Sequence, residues 1–413
     1  MSWLRRRFYD AFLVIHIGLG IVVIYAIFRS ELVRAKQRST TDTSRRHTSK
    51  EENVFNSYLW PLVAIWSFDR FLRLVRLIAC NLHTEYSKTV FRTNSTTASY
   101  DQAADVIKVQ IETAGLGMFA PVAGQHCFLY QPFTWKFYEN HPFTVGAWSE
   151  STKTPAMTEI SDAPSLIASK DKRMDSILPV TPTSLSSQAT PDQSNPSLSS
   201  GSSSLTFWIR PYDGWTRKLR NQCLKSPALI CHPHLLVEGP YGHTKNLHVF
   251  DTIVFIAGGT GISAILPYIK DHVQRSYQGC SRTTEIRLIW SSRKAGFIQS
   301  LCEDELACAL SRPDFKLEAY LTDEPVVEQT LLSEGKRSES APSAQWPSVE
   351  WRRGRPDLDE IVQSTAQDLR LGSRAAVFVC GPAAMADDAR AATHAAMKAG
   401  CGGLEYFEDS FGW

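Results

Sequence analysis

Residues 252–257 (TIVFIA) form a continuous apolar run of the kind buried on both faces of a sheet. The run ends in Gly258-Gly259-Thr260-Gly261-Ile262-Ser263, and a helical pattern follows over residues 262–273. Glycines in such a strand-to-helix turn let backbone amides approach a pyrophosphate, whose charge the helix N-terminus favours. The spacing is not GxGxxG, and glycine-rich turns also simply close tight corners, so neighbouring residues must add to it. Cys380-Gly381-Pro382 ends a later apolar run at the same sheet edge, where open α/β sheets bind their ligands. The second strand ends not in an acid but in Ser291-Ser292-Arg293-Lys294, and a basic, hydroxyl-rich strand end suits a 2′-phosphate. Gly258, Gly259, Thr260, Gly261, Ser263, Ser292, Arg293, Cys380, Gly381 and Pro382 are therefore candidate contacts to a phosphorylated dinucleotide, NADPH in preference to NADH.

These residues need a sheet to hold them. Apolar runs at 286–290, 315–321 and 376–380 alternate with helix-like segments at 357–369 and 383–397, which predicts a doubly wound parallel α/β domain over 248–413. Upstream the period changes to two. Val109, Ile111 and Thr113 alternate with polar neighbours, His126, Phe128 and Tyr130 alternate with Cys127 and Leu129, and Leu205, Phe207 and Ile209 alternate with Thr206 and Trp208. Glycine turns separate these runs, so a small antiparallel β-barrel is expected within 100–247. Residues 149–204 interrupt it: rich in Ser, Thr and Pro and without an aromatic, they bury too little apolar surface to offset ordering and read as a disordered insert.

Residues 1–99 have another character. Residues 11–28 (AFLVIHIGLGIVVIYAIF) carry His16 as the one ionisable group and follow Arg5-Arg6-Arg7, without a small-x-small cleavage site, which predicts an uncleaved transmembrane anchor. A weaker span is expected over 58–80, where Asp69, Arg70, Arg73 and Arg76 interrupt the apolar run and the arginines are expected to snorkel to the membrane surface. Seven Lys/Arg in residues 29–57 leave orientation unsettled by charge alone. Across the 413 residues the formal net charge is +2, which gives no pull toward nucleic acid, and nine cysteines without a CxxC pair read as free thiols.

Several motifs together resemble the ferric reductase and NADPH oxidase superfamily, and most closely the fungal ferric-chelate reductases. They are His141-Pro142-Phe143-Thr144, Arg210 with Asp213-Gly214-Trp215-Thr216, Glu238-Gly239-Pro240-Tyr241-Gly242, GGTGIS, Cys380-Gly381-Pro382 and the ending Phe411-Gly412-Trp413. The resemblance implies a ferredoxin-reductase-like arrangement behind a membrane anchor, in the plasma membrane with both cofactor domains in the cytosol. It implies FAD contacts from His141, Pro142, Phe143, Thr144 and Arg210, with Gly214, Trp215 and Thr216 at the flavin pyrophosphate. It adds Gly239 and Pro240 to the NADPH set and lays Trp413 over the flavin ring until nicotinamide displaces it.

The activity so implied is NADPH:FAD oxidoreduction toward a ferric chelate or another electron acceptor, with the lipid bilayer and a haem-bearing membrane polypeptide as partners. His16 resembles a haem-iron ligand, but the partner position one helical span later falls on Arg29 or Ser30, neither of them an imidazole, and the helices carrying opposing ligands are not in this sequence. Two alternatives stand beside this reading: oxygen as acceptor, and a truncated, non-catalytic membrane protein or mis-started reading frame.

Overall fold

In the computed structural model the described residues are 48–85, 90–114, 121–132, 140–150, 202–323 and 349–409, with scattered helical positions between 15 and 30. The chain enters through helix α1 (Thr48–Asn81) and a short hairpin, β1 (Leu82–Glu85) and β2 (Val90–Thr93). Two antiparallel sheets follow. One contains β3 (Ser95–Asp101), β4 (Val106–Ala114), β7 (Ala147–Glu150), β8 (Ser202–Ile209) and β9 (Ile230–Cys231) in the order β7-β8-β4-β3-β9. The other contains β5 (His126–Tyr130), β6 (Asn140–Thr144) and β10 (Leu236–Tyr241) in the order β10-β5-β6. Helix α2 (Gly214–Cys223) closes one end of their shared core, into which it sends Trp215, Leu219 and Cys223.

Alternation explains this packing. Ile107, Val109 and Ile111 on β4, with Leu205, Phe207 and Ile209 on β8, point into that core. On β5 the expected period holds: Cys127 and Leu129 are 1% exposed in the core, whereas His126, Phe128 and Tyr130 lie on the opposite face, where Phe128 meets Arg73 of α1. The aromatic face is the outer one because helix α1 covers it. Strand β8 is buried on both sides, for Trp208 belongs to the core of the next domain while Phe207 fills that of the sheets. The expected insert is trimmed at both ends, because Ser149 pairs with Ser204 and Glu150 with Ser203; residues 151–201 lie outside the described residues.

The C-terminal part is a six-stranded parallel sheet. Its strands are β11 (Thr252–Gly258), β12 (Glu285–Ser292), β13 (Phe315–Leu321), β14 (Val349–Arg353), β15 (Ala375–Cys380) and β16 (Leu404–Glu408), in the order β14-β13-β12-β11-β15-β16. Helices α3 (Ile262–Tyr277), α4 (Ala295–Glu303) and α5 (Ala307–Leu310) cover one face, and α6 (Leu358–Asp368) and α7 (Ala383–Lys398) the other. Along β11, Ile253, Phe255 and Ala257 enter the first layer and Val254 and Ile256 the second, which is why the run shows no polar alternation.

Among the described residues no helix is long and apolar enough to cross a membrane. Half of residues 11–28, His16 included, lie outside the described residues. Within the weaker span over 58–80, the expected snorkelling of the arginines is what the structure corrects. Arg73 Nε donates to Glu238 Oε1 at 3.0 Å, and Arg76 donates to the Pro240 carbonyl at 3.0 Å, so both arginines hold β10 instead of snorkelling. Asn81 completes the contact, donating to the Val237 carbonyl at 2.7 Å and accepting from the Val237 amide at 2.9 Å. In this way α1 covers an edge of the three-stranded sheet that would otherwise present unpaired backbone.

Candidate functional site

The parallel sheet reverses its strand order between β11 and β15, and the carboxyl ends of β11, β12 and β15 lie level there: Gly258 pairs with Ser291 and Ala257 with Cys380. Ligands of open α/β sheets bind at such a switch point. The glycines of the two turns are required mostly by each other. A Cβ on Gly261 would sit 2.2 Å from the Cys380 carbonyl oxygen, one on Gly258 2.5 Å from Pro382 Cδ, and one on Gly381 3.1 Å from the Gly258 nitrogen. Gly259 differs: its φ is +55°, in the left-handed region, and its Cβ would meet only an Arg210 guanidinium nitrogen, at 3.9 Å. From below, the Trp290 indole N–H donates to the Gly259 carbonyl at 3.0 Å and fixes the turn.

The other members of the expected NADPH set take different positions. Ser263, in the first turn of α3, is buried, and its hydroxyl has no hydrogen-bond partner among the described residues. Ser292 turns its hydroxyl to its own loop, donating to the Lys294 carbonyl at 3.0 Å, while Arg293 beside it is exposed. Thr260 lies in the single 3₁₀ turn Gly259–Gly261. Gly239 and Pro240 are not brought to this edge by any contact they make: on β10, Gly239 packs against Cys127, and the two carbonyls accept from Cys80 and Arg76 of α1.

On the antiparallel side, His141, Pro142, Phe143 and Thr144 form β6, paired with β5 from Leu129 opposite His141 to His126 opposite Thr144. Trp215 packs behind them, with its ring stacked on His141 (centroids 5.6 Å apart, planes at 15°) and tilted against Phe143 at 5.5 Å. Gly214 opens α2 with φ +59° and has nothing within 4 Å of a would-be Cβ. The N-cap Asp213 makes no side-chain capping bond, which leaves the first-turn amides beside open space. Thr216 is already engaged: its hydroxyl donates to the Asp213 carbonyl and accepts from the Tyr212 amide, each at 3.1 Å.

The two turns meet through Arg210. Its guanidinium lies over the Tyr212 ring, 5.2 Å from the centroid, and is the neighbour that a Cβ on Gly259 would meet. Gly146, just after β6, packs against Trp208 and Ser263, where a Cβ would come within 2.4 Å and 3.2 Å of side-chain carbons. Open space at Gly214 and Gly259 and the unpartnered Ser263 hydroxyl fit phosphate groups at both turns. Trp413, like residues 410–412, lies outside the described residues.

Burial shapes the local electrostatics. The Cys380 thiol is pushed up to about 12 by desolvation, with Asp409 adding to it, so it stays a neutral thiol beside the Gly261 turn. Burial likewise raises Asp409, a rise that Lys245 opposes. At Glu238 burial raises the carboxyl, but hydrogen bonds from Tyr130, Tyr241 and Arg73 outweigh it and hold the group below the ordinary range. Trp290 and Glu238 were not among the expected site residues. A fully buried indole needs a partner for its N–H, and a carboxylate within an apolar strand needs a cation; those are the signals that would have drawn attention to them.

Residues 250–394 match the family described as the ferric reductase NAD binding domain. Over 394 residues the chain is 21% identical to ferric reductase transmembrane component 6 of Saccharomyces cerevisiae, covering 94% of this chain and 43% of that protein. Over 433 residues it is 24% identical to ferric/cupric reductase transmembrane component 1 of Candida albicans, covering 100% of this chain and 45% of that protein. The chain thus spans about half the length of the curated relatives it matches. Among solved structures, the flavohemoglobin of Malassezia yamatoensis superposes with a TM-score of 0.43 at 17% identity, over 81% of this chain and 63% of that one. The cytochrome b5 reductase domain of Ulva prolifera nitrate reductase gives 0.41 at 13% identity, over 76% and 97%. The fold described above rests on the chain's own topology and not on these superpositions.

Proposed function

We propose, from the assignment to the fungal ferric-chelate reductases that these family matches support, that the chain is an NADPH:FAD oxidoreductase of ferric-chelate reductase type, with a ferric chelate as its substrate. The observation that carries this reading is the junction at Arg210, whose guanidinium reaches both the left-handed glycine turn of the parallel domain and Tyr212, just before the helix turn of the antiparallel domain. Hydride transfer between two rings needs such a meeting of two dinucleotide sites and needs no acid–base pair. When bound, FAD supplies the conversion of a hydride pair into single electrons, which nicotinamide does not readily perform.

The chain's own residues would hold and orient the two cofactors. His141, Pro142, Phe143 and Thr144, backed by Trp215, would wall the isoalloxazine; Arg210 and the amides at Gly214, Trp215 and Thr216 would take the flavin pyrophosphate. Gly258 to Gly261, Ser263 and the Cys380-Gly381-Pro382 turn would seat the NADPH pyrophosphate, with Arg293 at the 2′-phosphate. Trp413 is proposed as the aromatic cover of the flavin. Gly239 and Pro240 are proposed to act indirectly, through α1.

We read the chain as residues 1–99 leading from a membrane anchor at 11–28, an FAD domain over 100–247 and an NADPH domain over 248–413. The electrons' onward carrier is proposed to be a haem-bearing membrane polypeptide, because the sequence position one helical span after His16 falls on Arg29 or Ser30 and not on an imidazole. Purified in detergent and supplied with FAD, the protein should retain a yellow flavin spectrum, oxidise NADPH faster than NADH and reduce a ferric chelate or ferricyanide. Protein that takes up no flavin would overturn the proposal.

A further inference from the structure

A line of side-chain hydrogen bonds crosses the three-stranded sheet from α1 to β6. Arg73 Nε donates to Glu238 Oε1 at 3.0 Å, the Tyr130 hydroxyl donates to Glu238 Oε2, and Asn140 Nδ2 donates to the Tyr130 hydroxyl at 3.3 Å. The Tyr241 hydroxyl adds a second donor to Oε1 at 2.5 Å. The Glu238 side chain is 1% exposed, so its charge has no water to fall back on and its geometry is fixed by these donors. Two aromatic contacts reinforce the α1 end: the Arg73 guanidinium lies 5.6 Å from the Phe128 ring centroid, and that of Arg76 4.4 Å from that of Tyr241. At the other end, Asn140 is the first residue of β6 and immediately precedes His141.

We infer that Glu238 is a positioning residue that ties α1 to the strand proposed to wall the flavin, so that a displacement of α1 is felt at His141. A carboxylate suits this place better than an apolar residue because it can accept from two strands and a helix at once, with β6 joined through the Tyr130 hydroxyl. Only the span from Arg73 to Asn140 is needed; neither of those two residues is among the proposed cofactor contacts. The inference rests on the FAD reading of β6 above.

The test is a double-mutant cycle. FAD dissociation constants, from quenching of flavin fluorescence, are compared for the wild-type protein, Arg73→Ala, Asn140→Ala and the double variant, with far-UV circular dichroism confirming the fold of each. Groups in one hydrogen-bond network couple by at least about 0.5 kcal/mol, so the double variant should depart from the product of the single effects by about twofold or more. Arg73→Ala should also change the visible circular dichroism of bound flavin, although Arg73 sits on α1. Multiplicative effects with an unchanged flavin spectrum overturn the inference. If the wild-type protein takes up no FAD, the proposed function falls, and the relay is read instead from amide hydrogen exchange at residues 140–144. Arg73→Ala should speed that exchange, and unchanged rates overturn the relay independently.

Discussion

Replacing Gly261 by alanine separates two reasons for a glycine in a phosphate turn. The new methyl would lie 2.2 Å from the Cys380 carbonyl oxygen and 2.8 Å from its carbon, both of them backbone atoms that no rotamer change can move. Ordinary contact begins near 3.4 Å, so the start of α3 and the end of β15 must part by roughly 1 Å. Overpacking of this kind costs about 1–3 kcal/mol, and a 1 Å misplacement at a reacting site costs on the order of a hundredfold in rate. Gly259→Ala is the comparison: within the fold its methyl meets no backbone and carries only the left-handed backbone penalty of about 1–2 kcal/mol, although it enters the space proposed for a phosphate. We expect Gly261→Ala to lower the melting temperature beyond Gly259→Ala, while both weaken NADPH binding, with FAD content unchanged in both because β6 and α2 lie in the other domain. Equal losses of melting temperature in the two variants, or loss of FAD in Gly261→Ala, would refute the argument that turn-on-turn packing dictates this glycine.

Other outcomes follow from single contacts. Trp290→Phe keeps the buried ring but removes the 3.0 Å bond to the Gly259 carbonyl; a lost neutral bond of about 1 kcal/mol should raise KM for NADPH severalfold while the flavin spectrum stays as in wild type. Joining Glu150 to Ser202 through a short Gly/Ser linker in place of 151–201 should leave the melting temperature and FAD content near wild type, since Ser149 and Ser204 are already paired across the strands. Glu238, held below its ordinary value, contributes stability that is complete above the unfolded carboxyl pKa of about 4.3 and is lost as pH falls through the lower folded value. Acid melts of Glu238→Gln should therefore be flatter with pH in that window than those of the wild-type protein.

The parts of the fold that were legible are those in which local pattern and burial coincide. Residues 252–257 could only be a strand buried on both faces, and the glycines behind them marked its exit, so β11, its turn and α3 were placed nearly to the residue. On β5 the period was legible and the choice of face was not, because nothing local tells a strand that a helix from residues 48–81 will cover it. Strands β14 and β16 escaped notice as edge strands, which need only one neighbour and carry mixed sequences such as VEWRR and LEYFE. The arginines at 73 and 76 looked like headgroup contacts because their real partners, Glu238 and the Pro240 carbonyl, lie some 165 residues away. Motif glycines were legible, whereas the reasons for them were not: Gly258, Gly261 and Gly381 make room for one another's backbones, while of the motif glycines described Gly214 and Gly259 combine a left-handed conformation with open space.

Strand β8, with Phe207 in one core and Trp208 in the other, packs into the antiparallel and the parallel halves at once. A hinge between them would have to pull an indole that is 7% exposed out of its seat beside Gly146. Domains joined through a buried strand do not swing as domains joined by a polar seam do. A substitution that loosens Trp208 should therefore disturb both halves together.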